Sequence, residues 1–417
     1  MLNDNNAPHL SEDISPRKIT KISDRGSSAC RRAIGEGYYD QTQDKTFVAW
    51  NEKGMDIYMA NFDHKTNQWS APELVYACDL FGRWEYHDYV TMIQGLDGNP
   101  LFLYHIHSKC AYIISKNQQG EWERSLINED ANDYPAPIFY QHILYYFYSQ
   151  NREIEYPYRP LRFCKSFDNG KTWTIPRDIV DTGKKTPDKF DEVYQTSVIL
   201  IPELGEKPAH FLITYTMWGG TAHANRGKGS FCIAFSPQDD LCYDLDGNSL
   251  GETVDYDTML RLCCAHEGYL SASEEYRFVS YGSLPSYDQC GNAIVVYGLR
   301  CEEETGVFLA TRIAGSWERI CLTTEMWNVK DVEKQGEALE IVVCHGDQIV
   351  IFRRDSDEEP FHISSKTQIP HNNGSDCIQY ANLIEGSGGK ILVGLIEREN
   401  HEAYCDGVWP VLLLEED

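Results

Sequence analysis

The chain has 417 residues, 42% hydrophobic and 24% charged, the make-up of a folded globular protein with length for a large core. Its formal net charge of −27 argues against nucleic-acid binding, which relies on a basic surface to displace counterions, and against attraction to anionic membranes. A small anionic ligand remains compatible, because a few Arg and His in a pocket set the local potential whatever the total.

Residues 1–20, MLNDNNAPHLSEDISPRKIT, lack the apolar centre of a secretory leader. Residues 1–25 are expected to be extended or poorly ordered. No stretch approaches the roughly 18 apolar residues of a membrane helix. Beyond this segment the chain is organised by a repeat. Each unit has an apolar strand, a short turn, a second strand with aromatic or small residues, and a polar turn often closed by Trp. The units begin at TFVAW (46–50), NPLFLYHIH (99–107), ILYYFYS (143–149), HFLITYTMW (210–218), NAIVVYGLR (292–300), ALEIVVCHGDQIVIFRR (338–354) and GKILVGLIE (389–397). An insertion occupies roughly 244–275. Alternating strands bounded by turn residues predict an all-β fold, and radial repetition protects the edges that an open sheet exposes. The expectation is one domain over 1–417, a seven-bladed β-propeller of four-stranded antiparallel blades, with six and eight as the neighbouring counts. One helical turn is allowed around 325–340.

Residues 166–173, SFDNGKTW, match the Asp-box pattern S-x-D-x-G-x-T-W. Asp168 is suited to bind turn amides, Gly170 to take a positive φ, and Trp173 to plug between strands. Residues 61–69, 115–122 and 236–243 look like degraded copies. The box marks a fold and not a reaction. The fourteen Cys are scattered, many within strand-like runs (Cys232, Cys344), and read mostly as small buried hydrophobes.

Candidate chemistry begins at WEYHDYV (84–90) and LYHIHSKC (103–110), which place His87, His105 and His107 in one blade. A single strand-borne His is usually structural; three among Tyr86, Tyr89 and Tyr104 make a site as good a reading. The next blade adds Tyr134, Arg152, Tyr156, Tyr158, Arg159 and Arg162, a Tyr/His/Arg set without obvious carboxylate partners. The fourth supplies Tyr215, Trp218, suited to stacking on a sugar ring, and a Gly-rich loop with His223 and Arg226. Metal signals are weak. Cys263, Cys264 and His266 lack clear zinc spacing, and YDLDGNSLGE (243–252) carries calcium-type oxygens without the EF-hand pattern.

HDYV (87–90), DGNPLFLYHIH (97–107), DYPAPI (133–138), the SFDNGKTW box and AFSPQD…YDLDGNSL (234–250) resemble the BNR-4 propeller group, which includes ulvan lyases and rhamnose–glucuronate lyases. The resemblance runs over roughly 35–250. It implies a polysaccharide lyase that cuts at C4 of a uronic acid by β-elimination, with an anionic uronate polysaccharide as partner. The family's two His about 20 residues apart fall on His87 and His107. Its Tyr and Arg fall on Tyr134 and Arg152, with Arg159 or Arg162 as alternatives for the Arg. His105, Arg159, Tyr215, Trp218 and His223 are substrate-binding candidates.

The chemistry fits these residue types. A cation or donor must neutralise the uronate carboxylate, a role for Arg152 with His107. A base must take the C5 proton, and His87 titrates near neutrality. The glycosidic oxygen needs a proton, for which Tyr134 is suited; the roles of His87 and Tyr134 are exchangeable. No metal is required, although relatives imply a structural Ca²⁺ or Zn²⁺. A monomer is expected, extracellular or periplasmic by resemblance, cytoplasmic if the chain is complete. The rivals are a sialidase-like hydrolase, for which Arg31, Arg32, Arg300 and Arg312 form no convincing set, and a non-catalytic glycan-binding propeller.

Overall fold

The computed structural model describes residues 14–26, 37–78, 89–105, 109–152, 158–183, 192–205, 207–219, 225–263, 265, 278–279, 283–300, 304–326, 328–370, 378–395 and 409–416. The first sheet pairs Gly37–Asp40, Lys45–Asn51, Ile57–Asp63 and Gln68–Trp69 in order, with Glu73–Tyr76 also on Ile57–Asp63. The second has eight strands, Tyr89–Gln94, Pro100–His105, Lys109–Lys116, Trp122–Tyr140, Ile143–Gln150, Leu161–Ser166, Arg177–Asp181 and Val254–Asp255. Its 19-residue strand Trp122–Tyr140 serves two neighbours. Residues 122–132 pair with Lys109–Lys116, and residues 132–140 pair with Ile143–Gln150.

The third sheet runs Glu192–Ile201, His210–Gly219, Asn225–Phe235, Cys242–Tyr243 and Ser249–Gly251. The fourth pairs Leu284–Tyr287, Ala293–Arg300, Thr305–Ile313 and Ser316–Thr323, and the fifth runs from Asn328–Gln335 to His362–Gln368. The last holds Ile378–Leu383, Ile391–Leu395, Trp409–Glu415 and the N-terminal strand Lys18–Gly26.

That last pairing takes in part of the segment 1–25, whose described residues from Lys18 on are extended strand. Lys18 to Lys21 zip antiparallel onto Glu415 to Leu412, so Lys18–Gly26 is an outer strand of the final sheet. Buried Arg17 anchors it, donating from its amide to Thr367 Oγ1 at 2.9 Å and from its guanidinium to the Gly389 carbonyl and Glu416. Residues 328–335 differ from the helical turn allowed there. They form a strand laddered to Ala338–His345, and among the described residues the α-helix is Tyr256–Leu262, inside the predicted insertion. Asp255 caps it, accepting from the Thr258 amide at 2.7 Å.

The sheets follow one another as an antiparallel, propeller-like ring, because each apolar face meets the next. Tyr38, Phe47 and Met59 pack on Val90, Phe102 and Ile114. Leu103, Ile113 and Ile127 pack on Leu144, Tyr146 and Cys164. Phe147 and Phe163 meet Phe211, Phe231 and Phe235. The succession ends with Leu392, Val411 and Leu413 against Val48 and Trp50, so the last sheet covers the first. Each fully buried large side chain contributes about 1.5–3 kcal/mol, which places most of the stability between sheets.

At 166–173 the Asp168 carboxylate accepts from Ser166 Oγ (2.8 Å), the Thr172 amide (2.8 Å) and the Thr172 hydroxyl (2.6 Å), while Trp173 Nε1 donates to the Gly170 carbonyl at 3.0 Å. Gly170 has φ +89, and a Cβ there would lie 2.3 Å from Ile113 Cδ1. Gly170→Ala is therefore expected to cost about 1–3 kcal/mol, read as a lowered midpoint in urea unfolding. An unchanged midpoint would mean that Ile113 gives way freely.

Candidate functional site

Two consecutive inner strands bulge at a tyrosine. In Trp122–Tyr140 the ladder runs Asp133↔Ser149 and resumes at Ala136↔Phe147. The interruption spans Tyr134 and Pro135; proline has no N–H to donate, and it drives the preceding residue out of the helical region. Tyr134 takes φ +56, a conformation that favours glycine and costs of order 1–3 kcal/mol. In Glu192–Ile201 the ladder breaks between Tyr194↔Thr216 and Ser197↔Thr214. Bulges re-aim side chains, and here Tyr134 and Tyr194 meet, ring centroids 5.1 Å apart at 48° and both buried.

Arg159 joins the two strands. Its carbonyl accepts from the Val193 amide at 2.9 Å. Its guanidinium donates to the Asp133 carboxylate, lies 3.8 Å from Glu192 Oε2, and sits 4.8 Å over the Tyr194 ring. The three charged side chains are 5%, 1% and 0% exposed. Burial pushes the Arg159 guanidinium down, but Asp133, Tyr194, Tyr134 and Glu192 outweigh it and hold the group charged. Burial pushes the Tyr194 phenol up; Arg159 opposes, while Glu192, which it hydrogen-bonds, and Asp133 push the same way. One guanidinium between two carboxylates has a formal charge of −1.

A second network lies beside the first. Arg152 donates from Nε to Gln150 Oε1 at 2.8 Å, from Nη1 to the Tyr158 hydroxyl at 2.9 Å, and from Nη2 to both Asp178 oxygens at 2.8 Å. Arg162 contacts Asp130 at 2.6 Å and Asp178 at 2.7 Å, and the Tyr148 hydroxyl donates to Asp130. The expected lack of carboxylate partners is thus corrected. All three arginines are paired with acids carried by other strands.

His105 closes the strand Pro100–His105, 1% exposed, its ring edge-on to Tyr89 at 4.9 Å. Tyr146 is fully buried and stacks on Tyr148, ring centroids 5.1 Å apart. Burial raises its phenol first, and Cys164, Tyr89, Asp133 and Asp130 add to the rise. Tyr215 is completely buried and stacks on Phe231 at 5.7 Å. Trp218 lies across the ladder from Glu192 through its backbone; its side chain is outside what is described. His87, His107, Tyr156 and His223 lie outside the described residues, as do Cys264 and His266 of the candidate metal cluster. Among the described residues no three His, Cys, Asp or Glu side chains converge as a metal set. The calcium-like loop is closed on itself, with Asp244 accepting from the amides of Asp246 and Asn248 at 3.0 and 2.8 Å, so its carboxylate serves the turn.

Sequence reasoning missed Asp133, Glu192 and Tyr194. The available signal was an acid one or two residues before a tyrosine in two strand-forming runs, NDYPAP and DEVYQT. No family model matches the chain, and no curated relative does. Solved structures do. A family PL25 ulvan lyase bound to -[GlcA(1-4)Rha3S]- is 13% identical over 96% of each chain, with a TM-score of 0.73. Another structure of a PL25 ulvan lyase is 14% identical over 96% of each chain, TM-score 0.72. The polysaccharide lyase Uly1 is 11% identical over 96% of this chain and 99% of its own, TM-score 0.64. At such identities the likeness is one of fold, and in fold this chain is similar to the ulvan lyases over nearly its whole length.

Proposed function

We propose that this chain is a polysaccharide lyase that cleaves a rhamnosyl-(1→4)-glucuronate linkage, in ulvan or in rhamnose-capped arabinogalactan side chains such as those of gum arabic. The observation that carries the reading is the buried Arg159 cluster with its two re-aimed tyrosines, in a chain whose fold is similar to ulvan lyases. We read the fold as a seven-bladed propeller with Asp-box turns and count the eight-stranded sheet as two blades sharing Trp122–Tyr140.

In the reaction a base removes the C5 proton of the uronate. The C5–H electrons form the C4=C5 double bond, the C4–O bond breaks, and the departing oxygen receives a proton. His87 is suited to one proton-transfer role and Tyr134 to the other. The substrate carboxylate needs a neutralising partner. His107 is one candidate, and Arg152, alternatively Arg159 or Arg162, the other. A uronate reaching Arg152 would take the seat that Asp178 now holds. His105, Arg159, Tyr215, Trp218 and His223 keep their proposed substrate-side roles, the buried ones by shaping the site. This chemistry routes no step through a metal, and the enzyme is proposed to act as a monomer.

The second reading is a non-catalytic glycan-binding propeller. It is favoured by the pairing of Arg152, Arg159 and Arg162 with carboxylates already in place. Incubation with ulvan and with gum arabic separates the two. A rise in ultraviolet absorbance from a 4,5-unsaturated uronate is expected with one polymer and is lost in His87→Ala. Flat traces on both polymers, together with polymer binding by the folded protein, would establish the binding module instead.

A further inference from the structure

Arg152 and Asp178 form an ion pair of a different kind from the buried Arg159 set. Their side chains are 24% and 23% exposed, and those of Arg162 and Asp130 beside them 16% and 21%. Arg159, by contrast, is 5% exposed between acids at 1% and 0%. A dissolved ligand can reach Arg152, while Arg159 is enclosed. Nor does Asp178 depend on Arg152 alone. Its Oδ1 lies 2.7 Å from Arg162 Nε, and Arg162 is anchored in turn by Asp130 at 2.6 Å, Gln150 Oε1 at 3.1 Å and the Pro176 carbonyl at 2.9 Å. If Arg152 changes partner, Asp178 keeps a cation at contact distance and a route to water, so no buried charge is stranded. The backbone beneath it is fixed. The Asp178 carbonyl accepts from the Thr253 hydroxyl at 3.0 Å, and Val180 and Asp181 pair with Val254 and Asp255. The exchange is then a rotation of side chains that leaves the sheet as it is.

Resting on the uronate-binding part of the reading above, we infer that Asp178 is a positioning residue, a built-in carboxylate that holds the Arg152 guanidinium until a uronate carboxylate displaces it onto Arg162. One carboxylate replaces another, so the charge pairing at Arg152 is preserved throughout. Gln150 Oε1 and the Tyr158 hydroxyl accept from Nε and Nη1 at 2.8 and 2.9 Å, and they keep the guanidinium oriented while Nη2 changes partner. Because Asp178 is tethered, it competes at a high effective concentration. That competition sets a threshold. A chloride ion has neither a second oxygen nor sugar contacts with which to pass it, and a neutral sugar has no charge to offer. The seat therefore selects for a sugar that carries a carboxylate.

Asp178→Asn tests this, because it keeps the shape and one acceptor oxygen for Arg152 while removing the competing charge. Calorimetry with sodium glucuronate is expected to show binding about tenfold tighter than in the wild type. KM on the responsive polymer is expected to fall by a similar factor. A residue that merely held Arg152 in place would give the opposite, since its loss would loosen the guanidinium and weaken binding. Unchanged or weaker glucuronate binding by the folded variant, or binding by neither protein, would overturn the inference. The readout needs no turnover. Tighter binding together with flat absorbance traces on both polymers would leave the displacement standing and sink the lyase reading alone. Should Asp178→Asn not fold, the wild type itself supplies the test. The Arg152 Nε–Hε magnetic resonance signal, identified by its absence in Arg152→Lys, is expected to shift as glucuronate is added. Glucuronate binding that leaves this signal unmoved would place the ligand elsewhere and overturn the role of Asp178.

Discussion

Arg159→Ala is expected to lose about 3–5 kcal/mol of folding stability, the range for breaking a buried ion pair by removing one partner. The cost is dominated by what remains. Asp133 and Glu192 would be left 1% and 0% exposed with no guanidinium between them, two buried like charges without the group that bridges them. Packing adds to the loss, since the Tyr194 ring is covered by Arg159 at 4.8 Å. Arg159→Lys is expected to recover only part, because an ammonium cannot spread its donors toward both carboxylates as a planar guanidinium does. Urea unfolding measures both variants. A loss under about 1 kcal/mol for Arg159→Ala would mean that water reaches the acids and that the cluster is not the dry charge set described above. The stated range holds for a site that stays buried when the partner goes.

Tyr134→Phe is the larger functional prediction. Under the proposed reaction, activity on the responsive polymer is expected to fall about 10²–10⁴-fold, the usual worth of a positioned proton donor or acceptor. The fold should survive, because the ring that meets Tyr194 is retained and the bulge is set by the backbone around Pro135. Circular dichroism and the urea midpoint verify that part. Activity within about tenfold of wild type would take the phenol out of the proton path and move its role to another group. Set beside His87→Ala, the comparison also separates base from acid. The two variants should differ in which limb of the pH–rate profile disappears.

Much of the architecture was legible along the chain. Strand-length apolar runs and turn residues recur with each unit, and that periodicity depends on local pattern alone. The turn at 166–173 could be read residue by residue, because Ser166, Asp168, Gly170 and Thr172 satisfy one another within the same few positions. The N-terminal strand could not be read this way. Lys18–Gly26 is polar, and its partner Trp409–Glu415 lies at the opposite end of the chain, so no local pattern announces the pairing. The sixth repeat shows the same limit from the other side. Asn328–Gln335 carries a mixed, charged sequence that permits a helical turn, and it became a strand because Ala338–His345 offered it a ladder.

Residue order alone supplied the candidates for the proposed reaction, namely His87, His107, Tyr134 and the arginines of the third repeat, together with the repeat that carries them. Only the tertiary structure decided how the arginines are used. Arg152 is bound to Asp178, 26 residues further on, and Arg159 is held between Asp133 and Glu192 on different sheets. Ion pairing depends on distance in space and on burial, and both are set by the packing of one sheet on the next. Pattern along the chain records local preference, whereas the acids and the guanidinium beside Tyr134 and Tyr194 come from separate strands that only folding brings together.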